Sequence, residues 1–299
     1  MALVFARPNR HFCTMDTLPT GDCIAYEPLV ARVLATNPSP FTYTGTQTHI
    51  VGIEDVAVID PGPADPAHID AIVRAIAGRP VVAIVITHTH NDHSPGSRPL
   101  KARTGAPIIG CAPLVLEEIG PRADASFDKD YAPDRVLKDG ESVSGTGWTL
   151  TAVATPGHTS NHLCYALEQT GALFTGDHVM GWSTTVVMPP DGDMTAFMAS
   201  LNMLQHREDK RYYPAHGEPI DNPRQLVRGH LGHRRQREAQ ILRVLGEGIS
   251  AIPDMVERMY VGVDRRLYGA AGGSVKAHLI DLAGRGLVVA DGDGWRLAA

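Results

Sequence analysis

The chain has 299 residues, of which 43% are hydrophobic, 20% charged and 6% aromatic, a composition that excludes disordered and fibrous classes. Its length suits one large domain or a main domain with a small appendage. The formal net charge of −6 is unevenly spread, with +4 on residues 224–299 and −10 on residues 1–223, which speaks against a body that binds polyanions unaided.

No apolar run approaches the roughly 20 residues that span a bilayer, and residues 1–10 lack the charged head and apolar stretch of a secretion signal. The expected location is cytoplasmic, with no membrane association. Cys13, Cys23, Cys111 and Cys164 form no C-x-x-C pair, so reduced and mostly buried thiols are expected.

In chain order, Thr48–Ile53 and Val56–Asp60 read as strands, and Ile69, Ile72, Val73 and Ile76 recur at helical spacing within a helix over Pro66–Ala77. The continuous run Val81–Ile86 is that of a strand buried on both faces, and it ends directly at Thr87-His88. Further strands are expected at Pro107–Gly110, Thr149–Thr155, Leu163–Leu167, Ala172–Thr175 and Tyr212–Pro214, with a helix at Thr195–His206. This mixture predicts sandwiched sheets covered by helices. Beyond about Asn222 a long polar helix leads into Ile241, Leu242 and Leu245, followed by helical patterns at Ile252–Met259 and at Val275, Leu279 and Leu282. Leu287–Ala290 and Trp295–Leu297 around Asp291-Gly292-Asp293-Gly294 then read as a hairpin. Helix, helix, helix, hairpin is the winged-helix order. The chain therefore divides into a domain over residues 1–222 and a helical, winged-helix-like segment over residues 223–299.

The segment Thr87-His88-Thr89-His90-Asn91-Asp92-His93 crowds imidazoles and a carboxylate into one loop just past a strand. Imidazole nitrogen and carboxylate oxygen suit Zn²⁺ at about 2.0–2.2 Å, and Fe or Mn are also tolerated. Two adjacent metals are the natural occupants of so many donors. Thr155-Pro156-Gly157-His158-Thr159, Phe174-Thr175-Gly176-Asp177-His178 and Pro214-Ala215-His216-Gly217-Glu218 each put a further donor where a strand gives way to a glycine-containing turn.

The H-x-H-x-D-H run and the three later motifs, in this order and separation, resemble the metallo-β-lactamase superfamily. The resemblance implies an α+β fold, the four-layer αββα sandwich, with two divalent ions. His88, His90 and His158 would bind the first, Asp92, His93 and His216 the second, and Asp177 would bridge them. Asp60 matches a residue that supports the site from behind its ligands. His178 follows a ligand and is a weak candidate for touching substrate. His162 is weaker still. His11, His49, His68, His206, His230, His233 and His278 are expected to be structural or exposed.

Two close divalent ions lower the pKa of a shared water towards neutrality, so the implied chemistry is attack by a metal-bridging hydroxide, with Asp92 orienting the water and shuttling its proton. Asn37-Pro38-Ser39-Pro40-Phe41-Thr42, Gly45-Thr46-Gln47-Thr48 and Val51-Gly52 further resemble a lactamase-β-like subgroup with a C-terminal winged-helix segment, one member of which cleaves single-stranded RNA. Asp177 argues against a true zinc β-lactamase. The main expectation is a small-molecule ester, thioester or lactone as substrate. The alternatives are endoribonuclease action on single-stranded RNA and, more distantly, a non-catalytic metal-binding regulator. A helix at about Ser274–Arg285 offers only Lys276 and Arg285, with Asp281 between them, which is poor for reading DNA. Walling the cleft or forming a homodimer explains the tail equally well. Arg234, Arg235 and Arg237 form the most suggestive basic cluster, although a solvated helix face is the plainer reading.

Overall fold

The computed structural model describes residues 19–116 and 127–298; Cys13 and His11 lie outside these residues. Strands β1 (Cys23–Glu27), β2 (Val30–Leu34), β3 (Gln47–Val51) and β4 (Val56–Ile59) run antiparallel to one another. They continue in parallel through β5 (Val81–Ile86), β6 (Ile108–Gly110) and β7 (Arg135–Val136), completing a seven-stranded sheet in chain order. The second sheet has five strands in the order β12-β11-β10-β9-β8. These are β8 (Ser142–Gly145), β9 (Trp148–Ala154), β10 (Leu163–Leu167), β11 (Ala172–Gly176) and β12 (Arg211–Pro214).

Parallel neighbours need crossovers, and helix α1 (Pro66–Ile76) supplies one between β4 and β5. Pro66 opens it, the Asp65 side chain accepts from the Ala67 amide, and Ile69, Ile72 and Ile76 are buried. Helix α2 (Ser97–Thr104) makes the next crossover. On the other side lie α3 (Met194–Gln205) and the first half of α4 (Pro223–Gly246).

Alternation along the strands assigns side chains to the layers. In β10, Leu163, Tyr165 and Leu167 join the core between the sheets, whereas Cys164 faces the core shared with α3 and α4. Leu173 and Tyr212 likewise face the helices, and Phe174 and Tyr213 face the sandwich. The four-layer αββα arrangement is thus built from this alternation.

The second half of α4 enters a third core with α5 (Ile252–Met259), α6 (Tyr268–Gly284) and the hairpin β13 (Val288–Asp291) and β14 (Gly294–Leu297). The helices and hairpin expected from the sequence are therefore present. Some boundaries move: β3 stops at Val51, because the chain turns at Gly52 and leaves Ile53 exposed. Strands β1, β2, β7 and β8 were not expected from the sequence. Among the thiols Cys111 and Cys164 are buried and Cys23 is exposed. No described helix is long and apolar enough to cross a membrane.

Candidate metal centre

The residues singled out in the sequence gather at one edge of the sandwich, beyond the carboxyl ends of their strands. Asp60 follows β4, the run 87–93 follows β5, His158 follows β9, Asp177 follows β11 and His216 follows β12. Two donor groups result. One ligand atom from each of His88, His90, His158 and Asp177 lies within 4.8 Å of the others, and the same holds for Asp92, His93 and His216.

In the first group His88 Nε2 and His90 Nδ1 are 2.8 Å apart, and His158 Nε2 is 3.1 Å from the same His90 atom. A single proton could satisfy only one of these contacts, whereas a cation satisfies them together. Burial, reinforced by neighbouring imidazoles, holds His88 well below the usual histidine range and His90 down to about 3. Their nitrogens therefore stay neutral and available as donors.

Asp177 connects the groups. Its Oδ2 is 3.6 Å from His158 Nε2, while Oδ1 is 3.2 Å from His216 Nε2 and 3.5 Å from His93 Nε2. Asp92 Oδ2 is 3.3 Å from His93 Nε2 and 3.2 Å from His216 Nε2. Burial opposes charge here, but the facing carboxylates overcome it: His93 is raised well above the histidine range and His216 to about 10. Asp92 and Asp177 are correspondingly held well below the carboxylate range despite burial, by His93 and His216. His93 Nε2 and Asp177 Oδ1 are nevertheless buried without hydrogen-bond partners. Orphaned donor atoms, converging imidazoles and paired carboxylates are what two divalent ions require, so the residues fit the group.

The opposite nitrogens of the rings are anchored. His93 Nδ1 donates to Asp60 Oδ2 at 2.9 Å, His158 Nδ1 to the Val186 carbonyl at 2.7 Å and His216 Nδ1 to the Gly45 carbonyl at 3.1 Å. Thr87 Oγ1 donates to Asp60 Oδ2 at 2.6 Å, which leaves its lone pairs for the Nδ1–H of His88 at 3.0 Å. Each bond fixes a tautomer and aims Nε2 inward.

Two further residues support the donors in a way the sequence alone does not assign. Thr46 Oγ1 donates to Asp92 Oδ2 at 3.1 Å, and His162 Nε2 accepts from the Asp177 amide at 3.2 Å. The signal for Thr46 is its position in a motif shared with the subgroup, and His162 stands out in the sequence only as a weaker candidate than His178. His178, a candidate for substrate contact, is not among the residues that line the cleft over the donors. It is fully buried, its ring 4.6 Å from that of Phe197, and both ring nitrogens lack partners.

A cleft of about 480 Å³ opens over His90, Asp92, His158, Asp177 and His216. Its walls are largely apolar, with Phe41, Phe127, Met180, Val186 and Met188 prominent, and none of the described residues lining it is Lys or Arg.

The model of the metallo-beta-lactamase superfamily matches residues 44–216, and that of the beta-lactamase associated winged helix domain matches residues 251–295. The lactamase-like protein ptaB of Pestalotiopsis fici is 31% identical over 261 residues, covering 83% of this chain and 78% of its own. The atrochrysone carboxyl ACP thioesterase of Aspergillus chevalieri is 34% identical over 235 residues, covering 77% of this chain and 70% of its own. In fold, the crystal structure of a beta-lactamase domain protein from Burkholderia ambifaria superposes with a TM-score of 0.79 at 22% identity, covering 95% of this chain and 96% of that one. With the fold, the donor groups and these relatives in agreement, the chain is a hydrolase that belongs to the metallo-beta-lactamase superfamily.

Proposed function

We propose that the protein hydrolyses a thioester of a small acyl group. In this reading His88, His90, His158 and Asp177 would hold one divalent ion, Zn²⁺ or alternatively Fe or Mn. Asp92, His93 and His216 would hold the second, with Asp177 shared between the two. The observation that carries the proposal is the two-sided placement of Asp177 between two donor groups on the floor of an apolar cleft. When bound, the ions supply acidification of water and polarisation of the substrate carbonyl.

The chain's own residues do the rest. Asp92 has the most open side chain of the second group, 26% exposed, and lines the cleft, so it orients the attacking water and accepts its proton. Phe41, Phe127, Met180 and Met188 take up the acyl group and exclude bulk water. A thiolate is a good leaving group, since a thiol ionises at about 8.5, so a site with a single proton-accepting carboxylate suffices. Relatives named as ACP thioesterases support this choice among ester-like bonds. Against RNA stand the −10 charge of residues 1–223 and a cleft lined by no described Lys or Arg.

The test is thiol release from a panel of acyl thioesters by Zn²⁺- or Mn²⁺-loaded protein, with labelled single-stranded RNA in parallel. Release abolished by EDTA and restored by metal supports the proposal. RNA cleavage without thiol release overturns it in favour of the endonuclease.

A further inference from the structure

Arg234 lies near the middle of α4 and is only 4% exposed. Among the described residues no carboxylate forms an ion pair with it. Its guanidinium sits over the Phe197 ring, 5.1 Å from the centroid, and Nη2 donates to the carbonyl of Thr185. Burial lowers it to about 10, so it remains a cation at neutral pH. A buried unpaired cation is expensive, and an apolar side chain would fill the same space at less cost. Packing alone therefore does not account for an arginine here.

What the guanidinium grips is informative. The hydroxyl of Thr185, itself buried, donates to the carbonyl of Asp177 at 2.6 Å. The carbonyl of the next residue, Val186, accepts from His158 Nδ1 at 2.7 Å. One main-chain carbonyl held by Arg234 thus stands between two residues of the first donor group, Asp177 and His158. The loop between β11 and α3 is pressed a second time by α6, where a Cβ on Gly273 would meet Met188 Cγ at 2.7 Å. Thr185 is consequently held from both sides, by Arg234 of α4 from the helical side and through the carbonyls of Asp177 and His178 from the sandwich.

We propose that Arg234 is a positioning residue of the metal centre, holding Thr185 and Val186 so that Asp177 and His158 keep their ligand geometry. The inference rests on the metal-site reading given above. It also gives α4 a role in the chemistry: the helix that leads into the winged-helix segment braces the donors from outside the catalytic sandwich.

The experiment compares wild type, Arg234→Met, Arg234→Lys and Thr185→Val by chelator competition for Zn²⁺, by the visible spectrum of the Co²⁺-substituted protein and by kcat and KM on a thioester. Arg234→Met is expected to bind metal about 10–100-fold more weakly, with shifted Co²⁺ bands and a fall in kcat larger than any change in KM. Arg234→Lys should recover most of the affinity, because an ammonium still donates to the Thr185 carbonyl. Combining Arg234→Met with Thr185→Val should cost less than the two losses added together. Unchanged affinity and spectrum in Arg234→Met overturn the inference, as does an equal loss in the lysine variant, which would make the role one of shape. Should Arg234→Met fail to fold, Arg234→Lys and Thr185→Val decide it, and wild-type affinity and kcat in both sink it. His88→Ala and Asp177→Ala serve as references. If they too retain metal, the metal-site reading itself fails, independently of Arg234.

Discussion

Asp60 has a φ of +48°, in the left-handed region that Asp and Asn tolerate better than other side chains, and this conformation turns its carboxylate back under the centre. There it accepts from the Thr87 amide at 2.8 Å, the Thr87 hydroxyl at 2.6 Å and His93 Nδ1 at 2.9 Å. Asp60→Asn keeps the backbone preference and removes an acceptor, so metal affinity should drop roughly 10–100-fold, as read by chelator competition, while the fold survives. Full affinity in that variant would mean that His93 is aimed by something else. Asp92→Asn should lower kcat by about 10²–10⁴ if its carboxylate moves the proton. Metal content must be measured alongside, and a fully loaded variant with unchanged turnover removes Asp92 from the chemistry. All of the donors expected from sequence converge, because their motifs sit at strand ends that the sandwich brings to one edge. Thr46, His162 and Arg234 were not legible in the same way. Their partners, Asp92, Asp177 and Thr185, lie 46, 15 and 49 positions away, and only the folded chain makes those pairs.

Among the elements, β5 was readable to the residue, since an apolar run of six, five of them β-branched, has the length and side chains of a strand and not of a helix, and α1 followed from the spacing of Ile69, Ile72 and Ile76. Strands β1 and β8 were not, being short and largely unburied: no residue of β1 is buried, and in β8, where two of four residues are serines, only Val143 is. The arginines show the same limit within one helix. Arg234 is buried, Arg235 is exposed and Arg237 lies over the Tyr260 ring at 4.0 Å, so they do not form the common solvated face expected from sequence. Gly157 marks where one element constrains another. With φ at +133° and a Cβ position 2.3 Å from the Phe197 Cα, it lets the turn that presents His158 lie directly on α3. Gly157→Val should destabilise the protein by at least about 1–3 kcal/mol from backbone strain alone, with further loss from displaced α3, measurable by urea unfolding. A variant as stable as wild type would show that the turn relaxes without cost.

For the whole molecule, helix order and hairpin announced the winged-helix segment, whereas its attachment did not show in the sequence: α4 contributes Val227 and Leu231 to one core and Ile241, Val244 and Leu245 to another. We propose the division into residues 1–222 and 223–299 with α4 as the strut common to both. His278 of α6 is faced by Arg234, Arg237 and His233 of the strut and by Arg285, which is already engaged by Glu238 and Asp281 at 2.7 and 2.8 Å. Burial lowers His278 to about 3, assisted by Arg234, Arg237, His233 and Arg285, and lowers His230 to about 4, assisted by Arg234 and His233. Both are therefore neutral in the folded protein, while the unfolded chain takes up protons near pH 6.5. Their contribution is fully present above pH 6.5 and is lost as pH falls towards 4 and then 3, because the unfolded state binds more protons throughout that window. Each group can remove on the order of 1 kcal/mol per pH unit. Urea midpoints of wild type should accordingly fall between pH 6.5 and 5, and those of a His230→Gln/His278→Gln protein should fall less steeply. Parallel slopes for the two proteins would place the acid sensitivity elsewhere, and would mean that the interface between strut and α6 accommodates the added charge.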